Sequence, residues 1–206
     1  MTASPTHPSD NPRAEARREQ IRAAAADCFR QHGFHGTSIA QISKAAGMSP
    51  GHIYHYFENK EAIIADIVAQ DLEHVLTLIA ELRSARDFQE AMVERAAEAV
   101  SEHLDPRTAA LRLEIVAEAA RNPRIAATVR DADRITREDL AVTIRNIRRP
   151  AGRRDSAPAI AGMVELIAAM FEGLQIRAVR HPGIDQVRVV EIYRQVLRDL
   201  LTRDEL

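Results

Sequence analysis

Two short stretches of helical periodicity on either side of a glycine turn constrain this chain more than any other feature. Ser38–Ala46 has apolar residues at helical spacing and begins with a capping-box pattern. Gly47 supplies a turn residue that adopts a positive φ without strain. Ser49 is a typical N-cap, and Pro50 suits the first position of the next helix because the N–H it lacks would be unsatisfied there. The sequence therefore predicts a second short helix over Pro50–Phe57.

The rest of the chain also has helical periodicity, so the predicted fold is all-α with about nine helices. A first helix over Arg13–His32 should end at Gly33, because glycine is a common residue at helix C-termini. The helix after the short pair begins at Asn59 and runs to about Leu82. Prolines and glycines separate five further helices, at about 86–104, 107–121, 123–148, 157–181 and 185–203.

The single cysteine, Cys28, limits the chemistry and the compartment of the protein. It can form neither an intrachain disulfide nor a cysteine zinc site, which fits a reducing cytoplasm. Its neighbours Ala25 and Phe29 favour a core thiol over a redox sensor. The first residues lack the apolar run of a secretory signal, and the longest apolar stretch, Ile160–Phe171, is too short to span a bilayer. We therefore expect a cytoplasmic protein that does not bind a membrane.

Two short helices joined by a tight turn form a helix-turn-helix, in which the second helix reads DNA in the major groove. Ile53 and Phe57 lie four residues apart and are predicted to bury one face of that helix. The formal net charge of −2 does not argue against a DNA partner, because a local basic face is sufficient. The residues predicted for the outer face are Pro50, Gly51, His52, Tyr54, His55 and Tyr56.

The chemistry of this outer face suits DNA. Ser49 and the N-terminus of the helix offer an N–H group and partial positive charge to a phosphate. Gly51 destabilises a helix by about 1 kcal/mol relative to alanine, and a close approach of the backbone to DNA would account for it. The tyrosine hydroxyls and Lys60 are predicted to reach phosphates. His52 and His55 are predicted to reach base edges or phosphates.

The run from Phe34 to Glu61 resembles the DNA-binding signature of the TetR family of repressors, without a gap. The resemblance covers roughly residues 13–66. It implies that a hydroxyl of Thr37 or Ser38 contacts phosphate, that residues 49–56 contact the operator and that Lys60 contacts a phosphate. The predicted DNA-binding set is Thr37, Ser38, Ser49, Pro50, Gly51, His52, Tyr54, His55, Tyr56 and Lys60.

The chain departs from the family pattern at one point. The family most often has Tyr-x-His-Phe where this chain has Tyr54-His55-Tyr56-Phe57. Phosphate contact survives the change on chemistry alone, whereas the base preference stays open. A second segment, Phe171–Arg177, resembles choline-responsive members of the family, and we carry no ligand over from it.

The resemblance also implies how the chain is organised. Residues 1–12 are predicted to be a disordered tail, 13–62 a helix-turn-helix DNA-binding domain, and 63–206 an effector-binding and dimerisation domain. The protein is then a ligand-responsive regulator, expected to be a repressor, that binds a palindromic double-stranded operator as a homodimer. A small-molecule inducer, whose identity the sequence leaves open, would release it.

The C-terminal helices supply candidates for a ligand pocket and a dimer interface. Two long apolar stripes near the C-terminus need to be covered, which suggests a four-helix interface between two copies. The predicted interface residues are Ile160, Val164, Ile167, Leu174, Val190, Tyr193 and Leu197. The predicted pocket residues, most of which also suit a packed core, are Met92, His103, Glu114, Glu118, Met163, Met170, Phe171 and Gln175.

Several alternatives stay open at this point. A regulator without an effector, controlled by a protein partner, would carry the same DNA-binding segment. An all-α enzyme is disfavoured, because the sequence has no phosphate loop, nucleophile elbow or dinucleotide fingerprint, and no cofactor is expected. No metal is expected either, since His52 and His55 have no third ligand nearby. Activation of transcription rather than repression is the remaining alternative.

Two groups of charged residues have two interpretations each. Arg17, Arg18 and Arg22 either contact phosphate or are solvated surface charges. Glu114 and Glu118 share a helical face and either meet a cationic ligand in a partly buried pocket, or are ordinary surface carboxylates or salt-bridge partners.

Overall fold

The structure is a computed structural model that describes residues 12–149 and 155–203. All regular secondary structure within these ranges is helical, which confirms the all-α prediction. The nine helices are α1 (Pro12–Gly36), α2 (Ile39–Ala45), α3 (Pro50–Tyr56), α4 (Lys60–Ser84), α5 (Phe88–Leu104), α6 (Pro106–Ala119), α7 (Pro123–Arg148), α8 (Ala157–Arg180) and α9 (Gln186–Thr202). The tail predicted over residues 1–12 lies, apart from Pro12, outside the described residues.

The helix boundaries follow the local signals in the sequence. Both halves of the capping box at Ser38 are formed, and the Ser49 side chain accepts a hydrogen bond from the His52 N–H. Gly33 has φ 69° and ψ 169°, which interrupts α1 where the sequence predicted its end. Gly47 has φ 63° in the turn between α2 and α3. The N-caps of α5 to α9 are Asp87, Asp105, Asn122, Ser156 and Asp185.

The chain divides into two compact units after Ile67. In the N-terminal unit, Ile53 and Phe57 are buried, as the sequence predicted for the inner face of α3. They belong to an apolar interior that α1, α2 and the start of α4 also supply. Its other members include Ile21, Ala25, Cys28, Phe29, Phe34, Ile42, Ala46, Ile63 and Ile64. The functional domains predicted over 13–62 and 63–206 stay predictions.

The C-terminal unit has two apolar clusters, and they correct the predicted dimer interface. Five of the predicted interface residues are at most 4% exposed because they pack inside their own chain: Ile160, Val164, Ile167, Leu174 and Leu197. Met92 and Met163, predicted for a ligand pocket, also belong to the larger cluster. Val190 and Tyr193 are partly buried against the smaller one. The apolar stripe of α8 that contains Ile160 and Leu174 is therefore covered within the chain, whereas Val187, Ile192 and Val196 of α9 stay exposed.

Helix α8 is long and apolar enough to cross a bilayer by length and composition alone. Core helices of globular proteins pass the same test. The buried apolar residues of α8 belong to the apolar clusters of the C-terminal unit. We therefore describe α8 as a core helix.

A buried arginine ties the end of α7 to the end of α9. Arg148 is 0% exposed, and its Nε and Nη2 atoms each lie 2.6 Å from a carboxylate oxygen of Asp155. Its Nη1 donates to the carbonyls of Leu200 and Leu201, both at 3.0 Å, and Nη2 donates to the carbonyl of Arg203 at 2.8 Å. Since the last carbonyls of a helix have no partner within it, this guanidinium closes the C-terminus of α9.

Candidate functional site

Helix α3 presents a polar aromatic surface to solvent. Ile53 alone among its residues is buried, while Tyr54 is 55% exposed and His52 and His55 are exposed as well. The Tyr56 ring centroid lies 5.3 Å from that of His52 and 5.0 Å from that of His55. This surface carries hydrogen-bond donors and acceptors on rigid rings, which are groups able to contact base edges and phosphates.

The start of α1 runs beside this surface. An open groove of about 510 Å³ lies between the two helices, lined by Arg13 and Arg17 of α1 and by His52, His55 and Tyr56 of α3, together with Ala14 and Ala16. The guanidinium groups of Arg13 and Arg17 bring positive charge to this groove, as expected of a surface that approaches a phosphate backbone.

Two residues of the predicted DNA-binding set hold the loop before α2 instead of facing solvent. Thr37 is 2% exposed, and its hydroxyl donates to the carbonyl of Gly33 at 2.8 Å. The Lys60 ammonium donates to the carbonyls of Phe34 and Thr37, both at 2.6 Å. Of the two hydroxyls that the sequence offered to phosphate, that of Ser38 is on an exposed residue, where it closes the capping box and donates to Gln41 Oε1 at 2.9 Å.

Arg22 is an internal residue and not the solvated charge that the sequence allowed. It is 6% exposed and hydrogen-bonds Asp66 of α4 at 2.7 Å, Glu15 at 2.6 Å and Glu19 at 2.7 Å. Burial lowers the pKa of Arg22, but the hydrogen bonds to Glu15, Asp66 and Glu19 outweigh it and hold that pKa above its ordinary value. Arg18 shares the Asp66 carboxylate and is half-buried.

The C-terminal unit contains a polar cluster among apolar helices. Arg112 of α6 donates through Nη2 to Asp71 at 2.8 Å and to Glu102 at 2.6 Å. Its Nη1 is buried and has no hydrogen-bond acceptor among the described residues. The neighbouring His103 lies with Nδ1 2.8 Å from the carbonyl of Ala99, so that in the neutral ring Nδ1 carries the proton and Nε2 is left as an acceptor.

Aromatic rings extend this cluster. The Phe171 ring centroid is 5.4 Å from that of His103 and 5.5 Å from that of Tyr193, whose hydroxyl donates to the carbonyl of Met170 at 2.7 Å. The structure thus brings together His103 and Phe171 from the predicted pocket and adds Arg112 and Tyr193. An arginine inside the otherwise apolar segment 109–113 was the signal for Arg112 in the sequence.

The other predicted pocket residues lie in different surroundings. Glu118 is 1% exposed and forms an ion pair with Arg121 at 3.3 Å, so it is a salt-bridge partner and not an ordinary surface carboxylate. Gln175 is 8% exposed, and Glu114 is half-buried. These three residues stay candidates for a ligand site.

The environment of His103 predicts a pH-dependent stability. Burial, followed by the charge of Arg112, lowers the pKa of His103 below its ordinary value of about 6.5. As the pH falls through that ordinary value, the unfolded chain takes up a proton that the folded chain does not, so the folded state loses stability. We expect His103→Gln to lose less unfolding free energy than the wild type between about pH 7.5 and about pH 5.5.

Urea unfolding at the two pH values measures this difference. His74→Gln is the matched control, because His74 is exposed on α4. It should retain the pH dependence of the wild type. Equal losses in the wild type and in His103→Gln would contradict the assignment to His103.

Comparisons with known proteins agree with this architecture along most of the chain. Residues 21–67 match the family model of bacterial regulatory proteins described as the tetR family. Residues 90–202 match the model of the BetI-type transcriptional repressor C-terminal domain. The two matches cover the N-terminal unit around α3 and the helices from α5 to α9.

Comparisons with individual proteins also point to bacterial transcriptional regulators. The HTH-type transcriptional regulator UidR of Escherichia coli strain K12 is 37% identical over 139 residues, which are 66% of this chain and 70% of UidR. The solved structure of Salmonella enterica GusR is 27% identical, with a TM-score of 0.77 over 95% of this chain and 97% of GusR. A transcriptional regulator from Saccharomonospora viridis, solved in complex with choline, shares the fold at 22% identity, with a TM-score of 0.67 over 92% of this chain and 97% of that one.

Proposed function

This chain belongs to the TetR family of bacterial regulatory proteins, a family of ligand-responsive DNA-binding repressors, and we propose that its α3 reads a palindromic operator. We propose further that a small molecule bound in the C-terminal unit releases the protein from the operator. The protein is a transcriptional regulator and not an enzyme. The observation that carries the proposal is α3 itself, a helix with one buried residue and a polar face of rings turned to solvent. We place the protein in the cytoplasm, with the chromosome.

Within this proposal, the predicted contacts have different roles. His52, Tyr54 and His55 face the major groove, and Ser38 presents its hydroxyl to a phosphate. Thr37 and Lys60 act by fixing the loop between α1 and α2, because their polar atoms are bound inside the unit. Ser49, Pro50 and Gly51 bring the backbone close to DNA, and the space around Gly51 is open. Tyr56, which replaces the usual histidine, borders the groove beside α1.

We infer that the dimer interface uses the outer face of α8. Gly162, Leu166, Ala169, Gly173 and Ile176 recur every three or four residues along this face. Leu166 is 47% and Ile176 is 46% exposed, and a Cβ added at either glycine would meet nothing within 4 Å. Intrachain packing therefore accounts neither for these small residues nor for the exposed apolar ones. A close approach by α8 of a second copy accounts for both.

Helix α9 contributes to the same proposed interface. Ile192 is 48% and Val196 is 36% exposed, one helical turn apart. Two such helices from each copy would form a four-helix interface. A two-fold dimer places its recognition helices about 34–36 Å apart, in successive major grooves, so the operator should be an inverted repeat.

We propose that the effector binds beside His103, Phe171 and Tyr193. Arg112 offers this ligand a buried donor at Nη1, and the neutral His103 offers an acceptor at Nε2. A buried N–H without an acceptor destabilises a protein by about 1–3 kcal/mol, so a ligand that supplies the acceptor recovers this energy. The ligand shifts the protein away from DNA only to the extent that it binds the released state more tightly.

The test is binding to DNA from upstream of the protein's own gene, measured by fluorescence anisotropy. Affinity should fall linearly on a log–log plot as salt rises from about 50 to about 200 mM, because phosphate contacts release counterions. His52→Ala should weaken binding by roughly tenfold, as expected for the loss of a base contact. His74→Ala, at an exposed histidine on α4, should bind like the wild type.

Two results would argue against this function. A chain without salt-dependent affinity for such DNA would overturn it, and so would an equal effect of the two histidine substitutions. Operator binding that no small molecule relieves would instead favour control by a protein partner.

A further inference from the structure

One carboxylate in the N-terminal unit binds two arginines of another helix. Asp66 lies on α4, and its Oδ1 and Oδ2 accept hydrogen bonds from Arg18 and Arg22 of α1. The Asp66 side chain is 18% exposed. A charge-assisted pair with this degree of burial is stronger than one at the surface, because water screens it less.

The two arginines depend on Asp66 to different degrees. Arg22 also binds Glu15 at 2.6 Å and Glu19 at 2.7 Å. Apart from Asp66, the acidic partner of Arg18 is Glu15, at 4.0 Å. The loss of the Asp66 carboxylate would therefore leave Arg22 with two close carboxylates and Arg18 with only the longer contact to Glu15.

Arg18 contacts the end of α3. Its Nη1 donates to the carbonyl of Tyr56, the last residue of α3, at 3.4 Å. Its guanidinium lies 4.6 Å from the ring centroid of Phe57, the C-cap. A cation at this end of a helix interacts favourably with its dipole, and the donor satisfies a carbonyl that has no partner within the helix.

We propose that Asp66 is a positioning residue for DNA reading, which orients Arg18 so that Arg18 fixes the C-terminal end of α3. The inference rests on the proposed function, in which α3 is the reading helix. It makes the half-buried Arg18 a contact of α3 within the unit, which is neither of the two interpretations that the sequence allowed, a phosphate contact or a solvated surface charge.

The test compares the operator affinity of Asp66→Asn, Arg18→Gln and the double variant. Each single variant should bind about tenfold more weakly, as for the loss of a hydrogen bond between charged groups, with an unchanged slope of log affinity against log salt. The double variant should bind no more weakly than Arg18→Gln, because both substitutions break one chain of contacts. Glu19→Gln is the matched control, since Glu19 binds Arg22 and should leave affinity unchanged.

Three results would overturn the proposal. Additive losses in the double variant would mean that Asp66 acts independently of Arg18. A shallower salt slope in Arg18→Gln would make Arg18 a phosphate contact. An equal loss in Glu19→Gln would reduce the effect to general destabilisation of the unit, which melting temperatures of all variants would also report.

Two further measurements keep the outcome decisive. If Asp66→Asn does not fold, Arg18→Lys takes its place. Lysine keeps the positive charge but lacks the planar guanidinium that contacts Asp66 and Tyr56 together. Wild-type operator affinity in Arg18→Lys would overturn the proposal. Operator binding by the wild type and by His52→Ala tests the proposed function separately from the role of Asp66. If His52→Ala weakens operator binding and Asp66→Asn does not, the proposed function stands and the role of Asp66 is excluded.

Discussion

Replacing Arg148 by methionine should lower the free energy of unfolding by about 3–5 kcal/mol, the largest stability effect that we expect from a single substitution in this chain. The Arg148 side chain is 1% exposed and that of Asp155 is 8% exposed. Methionine would leave the carboxylate of Asp155 buried without its guanidinium, and three carbonyls at the end of α9 without their donor. Urea unfolding followed by circular dichroism measures the loss.

Two variants make this experiment specific. Arg149→Met is the matched control, because Arg149 is exposed and its replacement should change stability by less than about 0.5 kcal/mol. The double variant Arg148→Met/Asp155→Leu should regain much of the loss, since removing both charges leaves no buried ion without a partner. An Arg148→Met protein as stable as the Arg149→Met protein would contradict the assignment.

Replacing Gly173 by glutamine should separate the stability of the protomer from its assembly. A Cβ at this position meets nothing within 4 Å in the chain, and glutamine favours a helix over glycine by roughly 0.5–1 kcal/mol, so the protomer should become slightly more stable. At the proposed interface the longer side chain would keep the two α8 helices apart. We expect the dimer dissociation constant to rise by about 30-fold or more, and operator affinity to fall with it.

Analytical ultracentrifugation over a range of protein concentrations measures the dissociation constant. Ala127→Gln on α7 is the control, since Ala127 is exposed and lies outside the α8 face. It should leave the dimer and operator binding unchanged. An unchanged dissociation constant in Gly173→Gln would exclude this face of α8 as the interface.

Local signals in the sequence were sufficient for the helices and for the reading surface. The capping residues Ser38 and Ser49 and the glycine at position 47 fix the ends of α2 and α3 through interactions within a few residues. The burial of Ile53 and Phe57 follows from their spacing. These features depend on short-range geometry, and short-range geometry can be deduced from the order of the residues.

Features that depend on distant partners could not be deduced in this way. Ile160 and Leu197 were assigned to a partner copy, yet they pack in their own chain, because an apolar stripe does not specify which surface covers it. The burial of Arg22 depends on Asp66, 44 residues further along the chain. Lys60 resembles a phosphate ligand in sequence, and only the carbonyls of Phe34 and Thr37, 26 and 23 residues earlier in the chain, show that its ammonium is bound inside the unit.

The single buried residue of α3 has a consequence for how such regulators diversify. Because Ile53 and the C-cap Phe57 anchor this helix in the apolar interior, the residues that face solvent contribute little to the stability of the unit. His52, Tyr54 and His55 can therefore be exchanged one at a time without unfolding the protein. A duplicated copy of the gene would be able to acquire a different operator through a few substitutions, while the remaining helices continue to fold as before.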